Sequence, residues 1–310
     1  MILDETLWQQ MLALRQQAAG ITGPDRCVCC TPTSLTATDT THIDARTRAV
    51  ICCSPQAPSG WQCETLLEAR LWLWTRPDCE PALRQALRIY APLALASWVS
   101  ADQSFVLVHM AQSLDGRVST VAGHSQWIGN EDNLQHAHRL RALVDGVLVG
   151  GKTAIQDKPR LNVRRVSGND PVRILLSDSE TALEALPRVP GMRTLVLRSR
   201  ACEIRDAEQS DHEVLPCTRR DGTIDVPELL TRLREAGIHS VLVEGGPKTF
   251  RAFHEANAVD WLQLHVAPVL FGSGHPVLEL PEITTVDDAV TLKHPVYTVM
   301  GNAFMVTAEL

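Results

Sequence analysis

VLVGGKTAIQDKPRLNV, residues 147–163, decides how the rest of this 310-residue chain reads. An apolar run, Val147 to Val149, meets the pair Gly150 and Gly151; a short helical stretch follows, then a charged loop holding Asp157, Lys158 and Arg160. A strand that passes through glycines into a helix brings backbone N–H groups up to an anion, and the positive end of the helix favours negative charge there. The construction recurs in VLVEGGPKTF, residues 241–250, with Glu244 ahead of Gly245 and Gly246, and Pro247 suited to a first helical position. A single diglycine pair can merely close an ordinary strand-to-helix turn. Two of them, each beside a carboxylate, point to a ligand with more than one anionic group, such as a dinucleotide. No G-x-G-x-x-G fingerprint occurs, so a nicotinamide nucleotide would be held by another architecture.

Around these turns, apolar strands alternate with helical patterns. Strands are expected at 105–110, 146–149, 172–176, 193–197, 213–215, 240–243, 261–266 and within 296–308, and helices at 131–143, 152–156, 226–236 and 247–256. That alternation builds an α/β fold, a mainly parallel sheet with helices on both faces, because right-handed crossovers cover both sides. The last two strands lack a helix between them, which allows an antiparallel pair. Ligands in such sheets sit beyond the carboxyl ends of the strands, where both diglycine turns fall.

The texture changes near residues 95–104, which divides the chain into a smaller N-terminal α+β domain (1–103) and a larger domain (104–310). Asp4 is placed to cap an amphipathic helix over 4–18 that carries Leu7, Met11, Leu12 and Leu14. AVICCS, 49–54, reads as a short strand, whereas ETLLEARLWLW (64–74) and EPALRQALRIY (80–90) both carry helical spacing. Seven cysteines precede the boundary. Cys27 and Cys30 have the spacing of a zinc knuckle, but the second couple, Cys52 and Cys53, is adjacent rather than spaced, so buried reduced thiols are the better account and no metal is expected.

Net charge is −7 and the isoelectric point is near 5.9, with no basic block anywhere, which argues against a nucleic-acid partner. No apolar run approaches the roughly 20 residues that cross a bilayer, and the first residues, MILDETLWQQ, do not read as a secretory signal. The expected location is cytoplasmic.

HMAQSLDGR (109–117), GHSQWIG (123–129), HRLRALVDGVLVGGKTAIQDKPRLNVR (138–164), PVRILL (171–176), VLVEGGPKTF (241–250) and VDWLQLHVAPVLFG (259–272) stand in one order along the chain. Together they resemble the reductase domain of the bifunctional riboflavin-biosynthesis deaminase/reductase family, a dihydrofolate-reductase-like fold, over about residues 104–310. The resemblance implies an NADPH-dependent reduction of the ribosyl group of an aminopyrimidine ribosylamine 5′-phosphate to ribityl, and a homodimer. Carried across motif by motif, it places Ser125, Arg141, Leu161, Arg164 and Glu244 at substrate positions. Gln112, Trp127, Gly150, Gly151, Thr153, Asp157, Gly245, Gly246, Pro247, Thr249 and Phe250 fall at cofactor positions. Arg141 and Arg164 suit a sugar phosphate, since a guanidinium fork grips phosphate oxygens at two points. Asp157 and Glu244 are the candidates for handling the proton that accompanies hydride transfer. Either acid has a duller alternative as a helix cap or a counter-charge, Trp127 as a buried core indole, and the arginines as exposed ion pairs.

This sequence departs from the family at His109, where lysine is common, and at SDSE (177–180). It also lacks the deaminase's metal motifs: HIDA at 42–45 puts Asp44 where a glutamate is needed, and no Pro-Cys-x-x-Cys occurs. Deaminase activity is therefore not expected from residues 1–103. The departures leave two other readings open, a reductase of this fold acting on a different carbonyl or imine, and a nucleotide-binding subunit without catalysis.

Overall fold

The computed structural model describes residues 4–21, 26–31, 33–38, 46–53, 56–68, 70–100, 102–126, 128–199, 212–220 and 223–310. The chain opens with α1 (Glu5–Ala18), whose first N–H groups are capped by the Asp4 carboxylate, as its sequence predicts. Five strands follow, β1 (Cys27–Thr31), β2 (Ser34–Thr38), β3 (Ala49–Cys52), β4 (Gln62–Leu67) and β5 (Leu71–Thr75), and form an antiparallel sheet in the order β2-β1-β3-β5-β4. Helices α2 (Pro81–Ala94) and α3 (Ala96–Val99) close this region.

Residues 64–74 are thus a strand pair and not the helix their spacing predicts. A shift in register between Thr65 and Leu67 buries the neighbours Leu66 and Leu67 together. The bulge breaks the two-residue alternation, and with Leu71 four positions on, the apolar residues fall by coincidence at helical intervals.

The rest of the chain forms β6 (Phe105–Ser113), β7 (Arg117–Thr120), α4 (Glu131–Leu143), β8 (Gly146–Gly150), α5 (Gly151–Asp157), β9 (Val172–Leu176), α6 (Glu180–Ala185), β10 (Thr194–Ser199) and β11 (Glu213–Cys217). Two short strands, β12 (Arg219–Arg220) and β13 (Thr223–Ile224), precede α7 (Val226–Glu235), β14 (Ser240–Val243), α8 (Pro247–Glu255), β15 (Trp261–Ala267), β16 (Gly274–Pro276), β17 (Lys293–Met300) and β18 (Ala303–Glu309). Nine strands make one sheet, β11-β10-β9-β8-β14-β6-β15-β18-β17, parallel through β15 and antiparallel in its last two pairings. The mainly parallel α/β sheet and the antiparallel ending are those the sequence predicts.

Period-two alternation assigns the faces. Phe105, Leu107, Val147, Val149 and Leu242 bury on one side with Leu140 and Leu143 of α4, while Val106, Val108, Leu148, Val241 and Val243 bury on the other with Leu229 of α7 and Phe250 and Phe253 of α8. The N-terminal region joins the first of these cores: Trp8, Met11, Leu87 and Tyr90 pack in the same buried cluster as Phe105 and Leu140. Polar ties cross the same seam, from Trp8 Nε1 to the Ser167 carbonyl at 2.9 Å and from Arg70 to Asp260 at 2.7 Å. Cys30 is buried and Cys79 half-buried; desolvation raises both thiols, Cys79 to about 11. Among the described residues, no helix is long and apolar enough to cross a membrane.

Candidate active site

Strands β8 and β14 are parallel neighbours, so the diglycine turns that follow them leave the same edge of the sheet side by side. Gly150, Gly151, Gly245 and Gly246 line one cleft of about 1110 Å³, and Thr249 sits between the turns. A Cβ on Gly150 would stand 2.7 Å from Thr249 Oγ1, and one on Gly245 2.7 Å from Thr249 Cβ, so close packing of the two turns is what demands glycine here. Gly150 and Gly246 are the N-caps of α5 and α8, and neither supplies a side-chain cap. Of the other helices, α1, α4, α6 and α7 are capped by Asp4, Asn130, Ser179 and Asp225, whereas α2 and α3, away from the cleft, also lack a side-chain cap. The two helix starts at the cleft therefore present backbone donors to whatever fills it.

The acids beside the turns sit in opposite environments. Glu244 is mostly buried, its side chain 15% exposed, and accepts a two-pronged contact from Arg141, Nε to Oε1 and Nη2 to Oε2, each 2.7 Å. Burial alone would push this carboxyl up, but the Arg141 guanidinium outweighs it and holds Glu244 below its usual range, hence ionised. Arg141 gives its remaining nitrogen, Nη1, to the Asn162 carbonyl at 3.2 Å. Asp157 ends α5 at the cleft rim, where partial desolvation raises its carboxyl and a hydrogen bond with the Ser125 side chain opposes the rise.

The loop after Asp157 carries two left-handed non-glycine residues, Lys158 at φ 44° and Leu161 at φ 60°. Leu161 is fully buried and anchors the loop. Arg164, exposed at its end, spends Nη1 on Asn162 Oδ1 at 3.1 Å. Its guanidinium is pushed down first by desolvation and then by Arg141, Arg165 and Arg160, so several cations share this corner.

Ser125, Arg141, Gly150, Gly151, Thr153, Asp157, Glu244, Gly245, Gly246, Pro247 and Thr249 all line the cleft. Gln112, Leu161, Arg164 and Phe250 are not on its wall. Leu161 and Phe250 belong to the cores beneath it, where they support the loop and the second turn. Trp127 lies outside the described residues. Arg141, expected to grip phosphate, has both prongs on Glu244 instead.

Lys248, within the Gly246 to Ala252 turn expected at the cofactor, borders the cleft too, and so do Lys152, Arg219, His275 and Glu279, which the sequence reading does not single out. Lys152 had a signal, since it directly follows its glycine pair in GGK. Arg219, His275 and Glu279 reach the cleft from distant segments and had none. His109 forms part of the wall, is 6% exposed, and burial lowers it to about 4, which keeps the imidazole neutral at pH 7.

This chain is similar to the riboflavin biosynthesis protein RibD of Aquifex aeolicus, 30% identical over 188 residues that cover 59% of this chain and 52% of that one. It is 31% identical over 178 residues to the 2,5-diamino-6-ribosylamino-4(3H)-pyrimidinone 5′-phosphate reductase of Methanothermobacter thermautotrophicus, covering 54% of this chain and 79% of that one. It thus spans about half the length of the RibD relatives it matches, but most of the archaeal reductase. Among solved structures, the riboflavin biosynthesis reductase of Saccharomyces cerevisiae aligns with a TM-score of 0.53 at 25% identity, over 68% of this chain and 91% of that one. Acinetobacter baumannii RibD aligns over 98% of both chains with a TM-score of 0.59 at 18% identity, a likeness of fold that takes in the N-terminal sheet. The family model described as the RibD C-terminal domain matches residues 104–304, and the chain belongs to that family.

Proposed function

We propose that this protein is an NADPH-dependent reductase of the riboflavin-biosynthesis type, converting the ribosyl group of an aminopyrimidine ribosylamine 5′-phosphate to ribityl. The observation that carries the reading is the single cleft in which both diglycine turns, Asp157 and the Arg141–Glu244 pair meet. NADPH fits this cleft on physical grounds: two helix starts without side-chain caps, with Lys152 and Lys248 alongside, answer the negative charge of a dinucleotide. The cofactor would supply the hydride that reduces C1′.

The chain's own residues divide the remaining work. Reduction at C1′ needs the ring-opened, iminium-like sugar, whose positive charge is stabilised by a fixed negative charge nearby. Glu244, held ionised by Arg141, provides it. Asp157, with its raised carboxyl, retains a proton into a higher pH range and is placed to deliver one. Arg164 stands off the cleft wall, and with Arg160 and Arg165 adding to the positive field it would draw the sugar phosphate to that side.

Around the site we place a homodimer, a cytoplasmic location and an N-terminal region (1–103) without deaminase chemistry. β17 is the last strand in the order of the nine-stranded sheet, and Tyr297 (68% exposed) and Val299 (72%) are exposed on it, apolar surface suited to a second copy. His42 and Asp44 lie outside the described residues.

The test is incubation of the full chain with NADPH and the aminopyrimidine ribosylamine 5′-phosphate, followed by loss of NADPH absorbance and by identification of the ribityl product. NADPH binding without turnover of that substrate would overturn the substrate assignment; no NADPH binding would overturn the whole reading.

A further inference from the structure

A row of hydrogen bonds crosses the face of the large sheet that α4 covers, and both its ends lie in the N-terminal region. Tyr90 Oη stands 2.8 Å from His136 Nδ1, His136 Nε2 stands 2.7 Å from Gln263 Oε1, and Gln263 Nε2 donates to the Ile89 carbonyl at 3.4 Å. Tyr90 and Ile89 belong to α2, His136 to α4 and Gln263 to β15. All three polar side chains are buried.

The direction of each bond follows from one fact. A carbonyl only accepts, so the Gln263 amide nitrogen must face Ile89 and its oxygen must face His136. That oxygen accepts in turn, so His136 carries its hydrogen on Nε2. Burial drives His136 well below its ordinary range, so the ring is neutral, Nδ1 is bare, and the Tyr90 hydroxyl donates to it. The row therefore runs in one sense, from the Tyr90 hydroxyl to the Ile89 carbonyl.

His136 is also the neighbour of a residue on the cleft wall. Its ring meets that of His109 at 5.3 Å between centroids and 71° between planes, edge to face. Gln263 lies directly across from His109 in the β6–β15 register. Two of the residues that neighbour His109, His136 and Gln263, are therefore the two that α2 holds.

We propose that α2 is a positioning element of the cleft: Tyr90 and Ile89 fix His136 in its Nε2–H tautomer, and His136 with Gln263 sets the face His109 shows to the ligand. The proposal rests on the reading of this cleft as the ligand site. It gives the N-terminal region a task that requires no chemistry of its own, and explains why its core is continuous with that of the sheet. Tyr90, Ile89, His136 and Gln263 act only through His109, which alone of them borders the cleft.

Imidazole nitrogen spectra of the full chain, uniformly labelled, test this directly. In the unaltered protein His136 is expected as the Nε2–H tautomer; the Nδ1–H form would overturn the proposal with no variant needed. Tyr90→Phe removes one hydroxyl and keeps the ring that packs edge-on against Trp8. It is expected to leave His136 Nδ1 without its donor, shift the His136 Nδ1 and His109 signals while the Nε2–H tautomer persists, and lower kcat about tenfold with KM for NADPH nearly unchanged, the pattern of a wall misplaced by a fraction of an ångström. His109 signals and turnover that stay as in the unaltered chain would overturn it. Because the ring signals report on positioning whether or not the aminopyrimidine is reduced, failure of this relation and failure of the substrate assignment are separate results.

Discussion

The turn at Gly150 and Gly151 and the turn at Gly245 and Gly246 look interchangeable as sequence, each a strand, a glycine pair, a helix and an acid, yet the fold treats their acids in opposite ways. Glu244 precedes its glycines and so stays at the buried end of β14, within reach of Arg141 on α4. Asp157 closes its helix and so emerges at the rim, where among the described residues no guanidinium is paired with it. One carboxyl is pinned as a permanent charge and the other is left adjustable. Two carboxylates whose surroundings push them apart are the arrangement that lets one site hold a charge and move a proton at the same pH.

The widest break in this comparison comes from stranding the pinned acid. Arg141→Met leaves the mostly buried Glu244 without its partner, and a loss of up to about 3 kcal/mol in unfolding free energy is expected, read by urea denaturation. The double variant Arg141→Met with Glu244→Met removes both charges and should recover most of that loss while abolishing turnover. If the single variant is as stable as the parent, Glu244 is not held as described.

The adjustable acid is broken next. Asp157→Asn is expected to lower kcat about 100-fold while KM for NADPH moves little, since proton delivery is lost and binding is not. A donor whose folded pKa is raised keeps its proton to higher pH, so activity should decline as pH rises through that pKa, and Asp157→Asn should erase this limb. Ser125→Ala sharpens the point: Ser125 lowers Asp157, so its removal moves the limb to higher pH. A limb that moves down instead would show that another group titrates.

How much of this was legible before the fold was known differs between the two halves of the chain. The parallel sheet was readable because its strands are short, apolar and separated by periodic helices, and because both turns announce themselves in the same three or four letters. The pairing of Glu244 with Arg141 was not readable. It spans 103 positions and depends on α4 lying across the carboxyl end of β14, a tertiary fact that leaves no local mark. For the same reason Arg141 reads from sequence as a phosphate ligand, when its fork is already filled. The misread hairpin at 64–74 failed differently, through a bulge that imitates helical spacing. Tyr90 and His136, 46 positions apart, gave no signal at all.

The glycines themselves offer a third way to sharpen the comparison. Gly150→Ala places a Cβ 2.7 Å from Thr249 Oγ1, so one turn pushes on the other across the cleft. An overpacking cost of about 1–3 kcal/mol is expected, seen as weaker NADPH binding by fluorescence titration. Adding Thr249→Ala removes the obstructing hydroxyl and should return part of the affinity, whereas Thr249→Ser keeps Oγ and should not. Equal behaviour of the two double variants would mean that the turns do not touch through Thr249.

The smallest effect expected is on acid stability, and here the two carboxyls must show opposite signs. Glu244 has a folded pKa below its ordinary value of 4.5, so its contribution is complete above that pH and is lost as pH falls through the lower folded value. Asp157 has a folded pKa above its ordinary 3.8, so its ionised form costs stability at neutral pH, and that cost disappears as pH falls through the raised value. Urea midpoints at pH 7 and near pH 4 separate them. Glu244→Gln should lower the midpoint more at pH 7 than near pH 4, and by less than Arg141→Met does, because the amide oxygen still accepts from Arg141. Asp157→Asn should raise the midpoint slightly at pH 7 and leave it nearly unchanged near pH 4. Midpoints that shift in the same direction for both variants would mean that the turns do not hold their acids in opposed environments.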